Sequence, residues 1–319
     1  MAEDGSQGRG REHCGRQEAG GEDGGRQDPG GQDAGREDAR REDAVPDDTD
    51  GAGGSRPGAW ISHASAATLL ELPLPPRLRE LDAVDVTVRA PRRAPRAKGI
   101  HGRQRDAQSA STALLHGMPV STAAQAFVDG CDYLSFEDLV AIGDASVQGQ
   151  TPLTSVQELL AAIDRHAGQR SHHLLLRAAR EIHPRSRSRP ETITRLQLRE
   201  FRTHEPWCNV PVLIDEGAAI APDLAFWPAG LVIEVEGDHH RVDRKQWLVD
   251  LDRYNRLQRN GIEVHRVVAT TVETARRRLT PIVERIRQRW DPARPIPRIA
   301  PFFDGPPTVG PWPWLPIDH

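Results

Sequence analysis

PDLAFWPAGLVIEVEG, residues 222–237, carries the pattern that decides the last third of the chain. In its second half Leu231, Ile233 and Val235 fall on one face of a β-strand, and Val232, Glu234 and Glu236 on the other. Side chains two positions apart on a strand stand roughly 7 Å from each other on one face. Asp223 belongs to the preceding strand, and the short turn at residues 228–230 brings the two strands side by side. Asp223, Glu234 and Glu236 can therefore converge on one patch of sheet. Carboxylates crowded in this way resist ionisation unless a positive charge joins them. A divalent ion supplies that charge, and all-oxygen ligation favours Mg²⁺ or Mn²⁺. Such an ion activates a water and neutralises charge developing on a phosphodiester. A strand with one apolar and one acidic face is more often just half-exposed. Against that stand the Pro222-Asp223 step, the His239-His240 pair just past the strand, and a polar helix beyond it.

The flanking sequence predicts the order α-β-β-β-α-β-α. Ser188 is a plausible N-cap, with Pro190 and Glu191 in the first turn of a helix to about Phe201. Strand patterns follow at residues 210–214, 220–227 and 231–237. A helix then starts after Asp243 and stops at Asn260-Gly261. A fourth strand runs from Ile262, and a last helix at residues 272–290 is interrupted at Thr280-Pro281. An imidazole of His239 or His240 could orient or deprotonate water. Glu191 is a further candidate acid, although a first-turn Glu also suits the helix dipole. Asp250 and Arg253, three apart on the second helix, read as an ordinary surface ion pair.

These residues resemble the PD-(D/E)XK (restriction-endonuclease-like) superfamily. Within it they are most similar to the Vsr-like endonuclease-domain proteins of actinobacteria, a domain of unknown function. The likeness covers about 100 residues: PETITRLQLREF, then PDLAFWPAGLVIEVEGDHHRVDRKQWLVDLDRYNRLQRNGIEVHRV. It rests on Glu191, Asp223, Glu234-Val235-Glu236-Gly237, His239 or His240, Asp250 with Arg253, Gly261 and Arg266. It implies an α/β (α+β) fold, a mixed sheet flanked by helices with an αβββαβ core. It also implies metal ligands at Asp223 and at Glu234 or Glu236. Two residues after Glu234, where the superfamily lysine would fall, the chain has Glu236; Lys245 on the next helix could substitute. Relatives in this branch also lack that lysine. The middle region, with SHASAATLLELPLP and HGMPVSTAAQAFVD, resembles proteins linked to abortive-infection antitoxins and regulators. The usual N-terminal winged helix-turn-helix of those proteins has no counterpart here.

Residues 1–57 hold 15 Asp or Glu and 8 Arg, a net of −7, so the chain total of −4 leaves about +3 for the remainder. So polar a segment cannot bury enough apolar surface to offset its ordering entropy and reads as disordered. Residues 291–319, with nine prolines, read as a second disordered, Pro-rich tail. Residues 58–183 read as a small mixed α/β domain, antitoxin-like by resemblance, and residues 184–290 as the nuclease-like domain. A helix pattern covers residues 61–76, a strand residues 81–90 with Val84, Val86 and Val88 on one face, and three or four helices residues 121–182. Residues 89–105 hold seven Lys or Arg and no acid, and read as a loop. Arg92, Arg93, Arg96 and Lys98, with Lys245 and Arg253, are the candidate phosphate contacts. Cys14, Cys131 and Cys208 form no CxxC pair, and no apolar run has the length of a membrane span.

The chain thus reads as a cytoplasmic protein with DNA as its partner and Mg²⁺ or Mn²⁺ as its cofactor. The expected activity is a metal-dependent DNA endonuclease or nicking enzyme. The rival reading is an inactive nuclease-fold scaffold, a DNA-binding regulator or antitoxin-like chain with a toxin-like or regulatory protein partner. A zinc hydrolase built on His204, Cys208, His239 and His240 fits no compact zinc spacing.

Overall fold

The computed structural model describes residues 58–80, 82–106, 110–236, 244–268 and 271–303 and, of residues 244–250, the backbone only. The acidic stretch 1–57, residues 304–319, His239 and His240 lie outside the described residues, as does the side chain of Lys245. The chain is mixed α/β, with eight α-helices and mixed sheets among the described residues. No helix among them is long and apolar enough to cross a membrane.

The first half begins β1 (Ala59–Ile61), α1 (His63–Leu69), β2 (Val84–Arg89), β3 (Ile100–Arg105), β4 (Thr112–Leu115) and β5 (Met118–Ser121). These strands form a five-stranded sheet in the order β3-β2-β1-β5-β4. The segment expected as one basic loop therefore contains a strand, β3, pairing in parallel with β2. Its sequence IHGRQR gives no apolar alternation because its arginines are held by buried acids. Arg105 reaches Asp129 at 2.6 Å, and Arg103 lies 3.5 Å from Asp85.

Four helices follow: α2 (Ala123–Gly130), α3 (Phe136–Val147), α4 (Val156–Arg165) and α5 (His172–Arg180). Their ends are set by caps legible in the sequence. Ser135 accepts from the Asp138 N–H, and Ser155 with Glu158 closes a capping box. For α2, where the sequence offers both Ser121 and Thr122, the cap is Thr122, which accepts from the Gln125 N–H. Phe127, Leu139, Ile142, Leu159, Ile163 and Leu175 form the centre of the core between them.

The second half runs α6 (Arg189–Glu200), β6 (Trp207–Cys208), β7 (Val212–Leu213), β8 (Leu224–Phe226), β9 (Leu231–Glu236), α7 (Arg244–Arg259), β10 (Glu263–Val268), α8 (Val272–Arg289) and β11 (Arg298–Ile299). A four-stranded sheet has the order β10-β9-β8-β6, with β9 and β10 parallel and the other pairs antiparallel. One face, through Leu224, Phe226, Leu231 and Ile233, packs on α6 and α8. The other, through Ala225 and Val232, packs on Leu257 of α7.

Three details differ from the sequence reading, the first being that α8 runs through Thr280-Pro281 without the expected interruption. The strand beside β8 is Trp207–Cys208, whereas residues 210–214 supply β7, which pairs with β11. Asn209, at φ 50, breaks the run between them, and Pro211 has no N–H for a ladder. The segment expected as a disordered tail from Asp291 is structured as far as Phe303: the Ala300 N–H bonds the Pro211 carbonyl, and Phe303 packs against the core on the α7 side of the sheet.

Helix α6 joins both halves, giving Leu196 to the first core and Ile193 and Leu198 to the second. It is tied to α3 by two ion pairs. Arg189 meets Asp138 at 2.6 Å, and the fully buried Arg195 meets Asp144 at 3.2 Å. Removing one partner of such a pair strands the other charge in the interior. Asp144→Ala is therefore expected to lower the unfolding free energy by roughly 3–5 kcal/mol in urea denaturation. Asp144→Leu combined with Arg195→Met should recover most of that loss. A cost below about 1 kcal/mol for Asp144→Ala would mean the pair does not hold α6.

Candidate functional site

At the C-terminal end of β9 the antiparallel register with β8 pairs Leu224 with Ile233, so one further step sets Asp223 opposite Glu234. Asp223 caps the ladder there, its Oδ2 accepting the Val235 N–H at 2.7 Å. Glu234 is buried at 6% exposure and ion-pairs with Arg253 of α7. Glu236, two residues on, is paired instead with Arg266 of the neighbouring strand β10, and its side chain is 37% exposed. The alternation of β9 thus sets both acids on one face, but their partners divide them.

The fourth acid comes from α6. Ser188 caps the helix, accepting the Glu191 N–H at 3.3 Å, and its hydroxyl donates to Glu191 Oε1 at 2.9 Å. Glu191 Oε2 accepts from the Arg187 N–H at 2.9 Å and from Asn209 Nδ2 at 2.7 Å. Burial, and then the charge of Asp223, push the Glu191 carboxyl up to about 7 despite these donors. Asp223 is raised as well, by burial, against the pull of the Val235 N–H, Arg253 and Arg187. Arg253 is held protonated by Glu234 and Asp223 against the effect of burial. Glu191, Asp223, Arg253 and Glu234 form one electrostatic unit with three acids and one base.

Asn209 was not legible as a member of this site. Its backbone N–H bonds the Pro222 and Asp223 carbonyls at 3.0 and 3.1 Å, while its side chain holds Glu191 and donates to the Arg185 carbonyl at 2.9 Å. It fixes the strand carrying Asp223 against the helix carrying Glu191. The one sequence signal is the residue type: Asn takes a positive φ more readily than most.

The other expected residues fall elsewhere. Arg92, Arg93, Arg96 and Lys98 are exposed on the loop between β2 and β3. Arg253, read as a surface partner of Asp250, points to Glu234. His204 stacks on Trp290 with ring centroids 3.5 Å apart, whereas Cys208 is buried with its thiol directed to the Pro206 carbonyl.

Does this set suit a divalent cation? Among the described residues no three His, Cys, Asp or Glu stand together as a metal-holding group. The chemistry nonetheless fits one. The donors are hard oxygens, Glu191 is driven towards protonation beside Asp223, and a guanidinium stands against Glu234 where added positive charge is needed. Glu191 and Asp223 are the pair most in need of a counter-charge.

This strain has a pH signature. The folded state binds the Glu191 proton more tightly than the unfolded chain, whose carboxyl sits near 4.5. The resulting stability is present below that value and is lost as pH rises through about 7. Asp223, also raised, acts in the same direction. Scanning calorimetry between about pH 5 and 8 should show wild-type stability falling by roughly 1–3 kcal/mol and Glu191→Gln falling clearly less. Equal slopes would separate Glu191 from the effect.

In comparison with known proteins, no family model, curated protein or solved structure gives a match to this chain.

Proposed function

We propose that the acid unit is a phosphodiester-cleaving centre and the chain a Mg²⁺- or Mn²⁺-dependent DNA endonuclease or nicking enzyme with a restriction-endonuclease-like core. One observation carries the reading: Glu191 and Asp223, brought from a helix and a strand to one place, share a shortage of positive charge beside Glu234. The order of helix, strands, helix and strand around them agrees with the αβββαβ arrangement that the sequence resembles.

Asp223 and Glu234 would hold the ion, with Glu191 as an accessory ligand or orienting group. A bound divalent cation supplies polarisation of a phosphoryl oxygen and neutralises charge that builds up there. The chain's own groups do the rest. Glu191, titrating near neutrality, can exchange a proton with water beside Asp223. Asn209 fixes the carboxylate that does so. Arg253, adjacent to Asp223 and Glu234, offers a planar donor set to a phosphate. His239 or His240, outside the described residues, would assist the water, and Glu236 would complete or support the site. The exposed Arg92, Arg93, Arg96 and Lys98 suit backbone contacts, which position nucleic acid without reading its sequence.

A second reading draws on the Arg253–Glu234 and Arg266–Glu236 pairs, in which acids of β9 are already matched by bases. On that reading the fold is a non-catalytic scaffold, a DNA-binding regulator or antitoxin-like chain.

Supercoiled and single-stranded DNA incubated with the full chain and Mg²⁺ or Mn²⁺ separates the two. The enzyme reading expects metal-dependent cleavage, reduced about 100-fold or more in Asp223→Ala and in Glu234→Ala. It also expects cation-dependent thermal stabilisation that Asp223→Ala abolishes. Folded wild-type protein that neither cleaves DNA nor is stabilised by either cation would leave the scaffold.

A further inference from the structure

The side of the first sheet opposite α1 carries a groove of about 740 Å³. Ile61, Val86 and Val88 are among its floor residues, and Arg92, Arg93 and Arg96 line it from the loop between β2 and β3. No acidic residue lines it. The three arginines are exposed, and among the described residues no carboxylate is paired with any of them. Val84 and Met118, at 45% and 42% exposure, extend the apolar surface at its margins. An apolar floor under a purely cationic rim calls for an occupant that is both acidic and apolar.

Such a segment is tethered to the groove itself. Floor strand β1 begins at Ala59, directly after Gly58, over which Arg92 lies: a Cβ at Gly58 would stand 3.2 Å from its Nη1. Eight residues earlier ends EDAVPDDTD, residues 42–50, with five acids, no base, and Ala44, Val45 and Pro46 at its centre. The intervening GAGGSRPG spans up to about 27 Å when extended, enough to turn back onto the sheet.

We propose that this groove is a peptide-docking site and that its occupant is the chain's own segment 42–50. Glu42, Asp43, Asp47, Asp48 and Asp50 pair with Arg92, Arg93 and Arg96, and Val45 and Pro46 cover the aliphatic floor. The docked segment withholds those arginines from phosphates, making the acidic stretch a built-in competitor for anionic ligands. A single-stranded nucleic acid suits the groove less well: Trp60, the one aromatic residue of its lining, is buried at 5% exposure and the remaining floor is aliphatic, whereas base-binding grooves use exposed aromatic stacking platforms. The proposal stands independently of the reading of the acid unit.

The test uses a fluorescein-labelled peptide of residues 41–51 and two full-length proteins: wild type, and a chain carrying Glu42→Gln, Asp43→Asn, Asp47→Asn, Asp48→Asn and Asp50→Asn. Fluorescence anisotropy should show the neutralised chain binding the peptide at least about tenfold more tightly than wild type, whose tethered segment competes at millimolar effective concentration. Raising salt from about 50 to about 500 mM should weaken that binding. Arg92→Gln, Arg93→Gln and Arg96→Gln, added together to the neutralised chain, should reduce it at least about tenfold with an unchanged circular-dichroism spectrum. Equal binding to both chains, no binding by either up to about 1 mM peptide, or binding that survives the loss of the arginines overturns the proposal. An oligothymidylate that binds wild type and the neutralised chain equally tightly through the same arginines also overturns it, in favour of a nucleic-acid groove that the segment does not occupy.

Discussion

Arg195 is buried in the middle of α6, and the placement of that helix fixes much else. Its guanidinium meets Asp144 of α3 and the Glu181 carbonyl, while Thr192, one turn before it, donates to the same Asp144 carboxylate. The backbone N–H of His183 satisfies the other oxygen of Asp144 at 2.7 Å. A charge this deep persists only with its partners in place, so the network pins α6 against α3 in one register. Glu191 lies four residues before Arg195, roughly one helical turn, and is carried to Asp223 by the same constraint. The interaction that orders the helical half thereby sets the geometry of the acid unit.

The acid unit holds more negative charge than its surroundings neutralise. Arg253 answers Glu234 and part of Asp223, which leaves Glu191 dependent on neutral donors and on taking up a proton. Three hydrogen bonds from Arg187, Ser188 and Asn209 lower the cost of the ionised form without removing it. A plain first-turn acid needs none of this. It sits in water near the helix dipole, whereas Glu191 is buried beside a second carboxylate. Burial with a like charge nearby is the feature that sets it apart from a capping residue.

Much of this arrangement was legible because it is local. The alternation of residues 231–236 sets Glu234 and Glu236 on one face, and hydroxyl caps mark the starts of α3, α4 and α6 within a residue. What the sequence hid depends on partners from elsewhere. Strand β3 has no apolar period because Asp85 and Asp129, distant in sequence, neutralise its arginines. Arg253 has Asp250 at helical spacing, yet cross-layer packing delivers it to Glu234. Asn209 earns its place only through the approach of a strand to a helix, which no window around it encodes.

Strand β2 makes the same point for orientation. Period-2 alternation separates Val84, Val86 and Val88 from Asp85 and Thr87, but it does not say which set lies inward. Here Asp85 and Thr87 are buried towards α1. That is tolerable because Ser65 accepts the Asp85 N–H at 2.8 Å, Ser62 meets Thr87 at 2.7 Å, and Arg103 stands by the carboxylate. The valines are left on the groove side, where Val84 is 45% exposed. The inversion leaves that face covered only in part: Val88 is buried at 7% exposure, Val86 is half-buried, and Val84 is open. Covering its open end would bury further apolar surface at Val84 and Met118, so the inversion is itself a physical reason to look for what binds there.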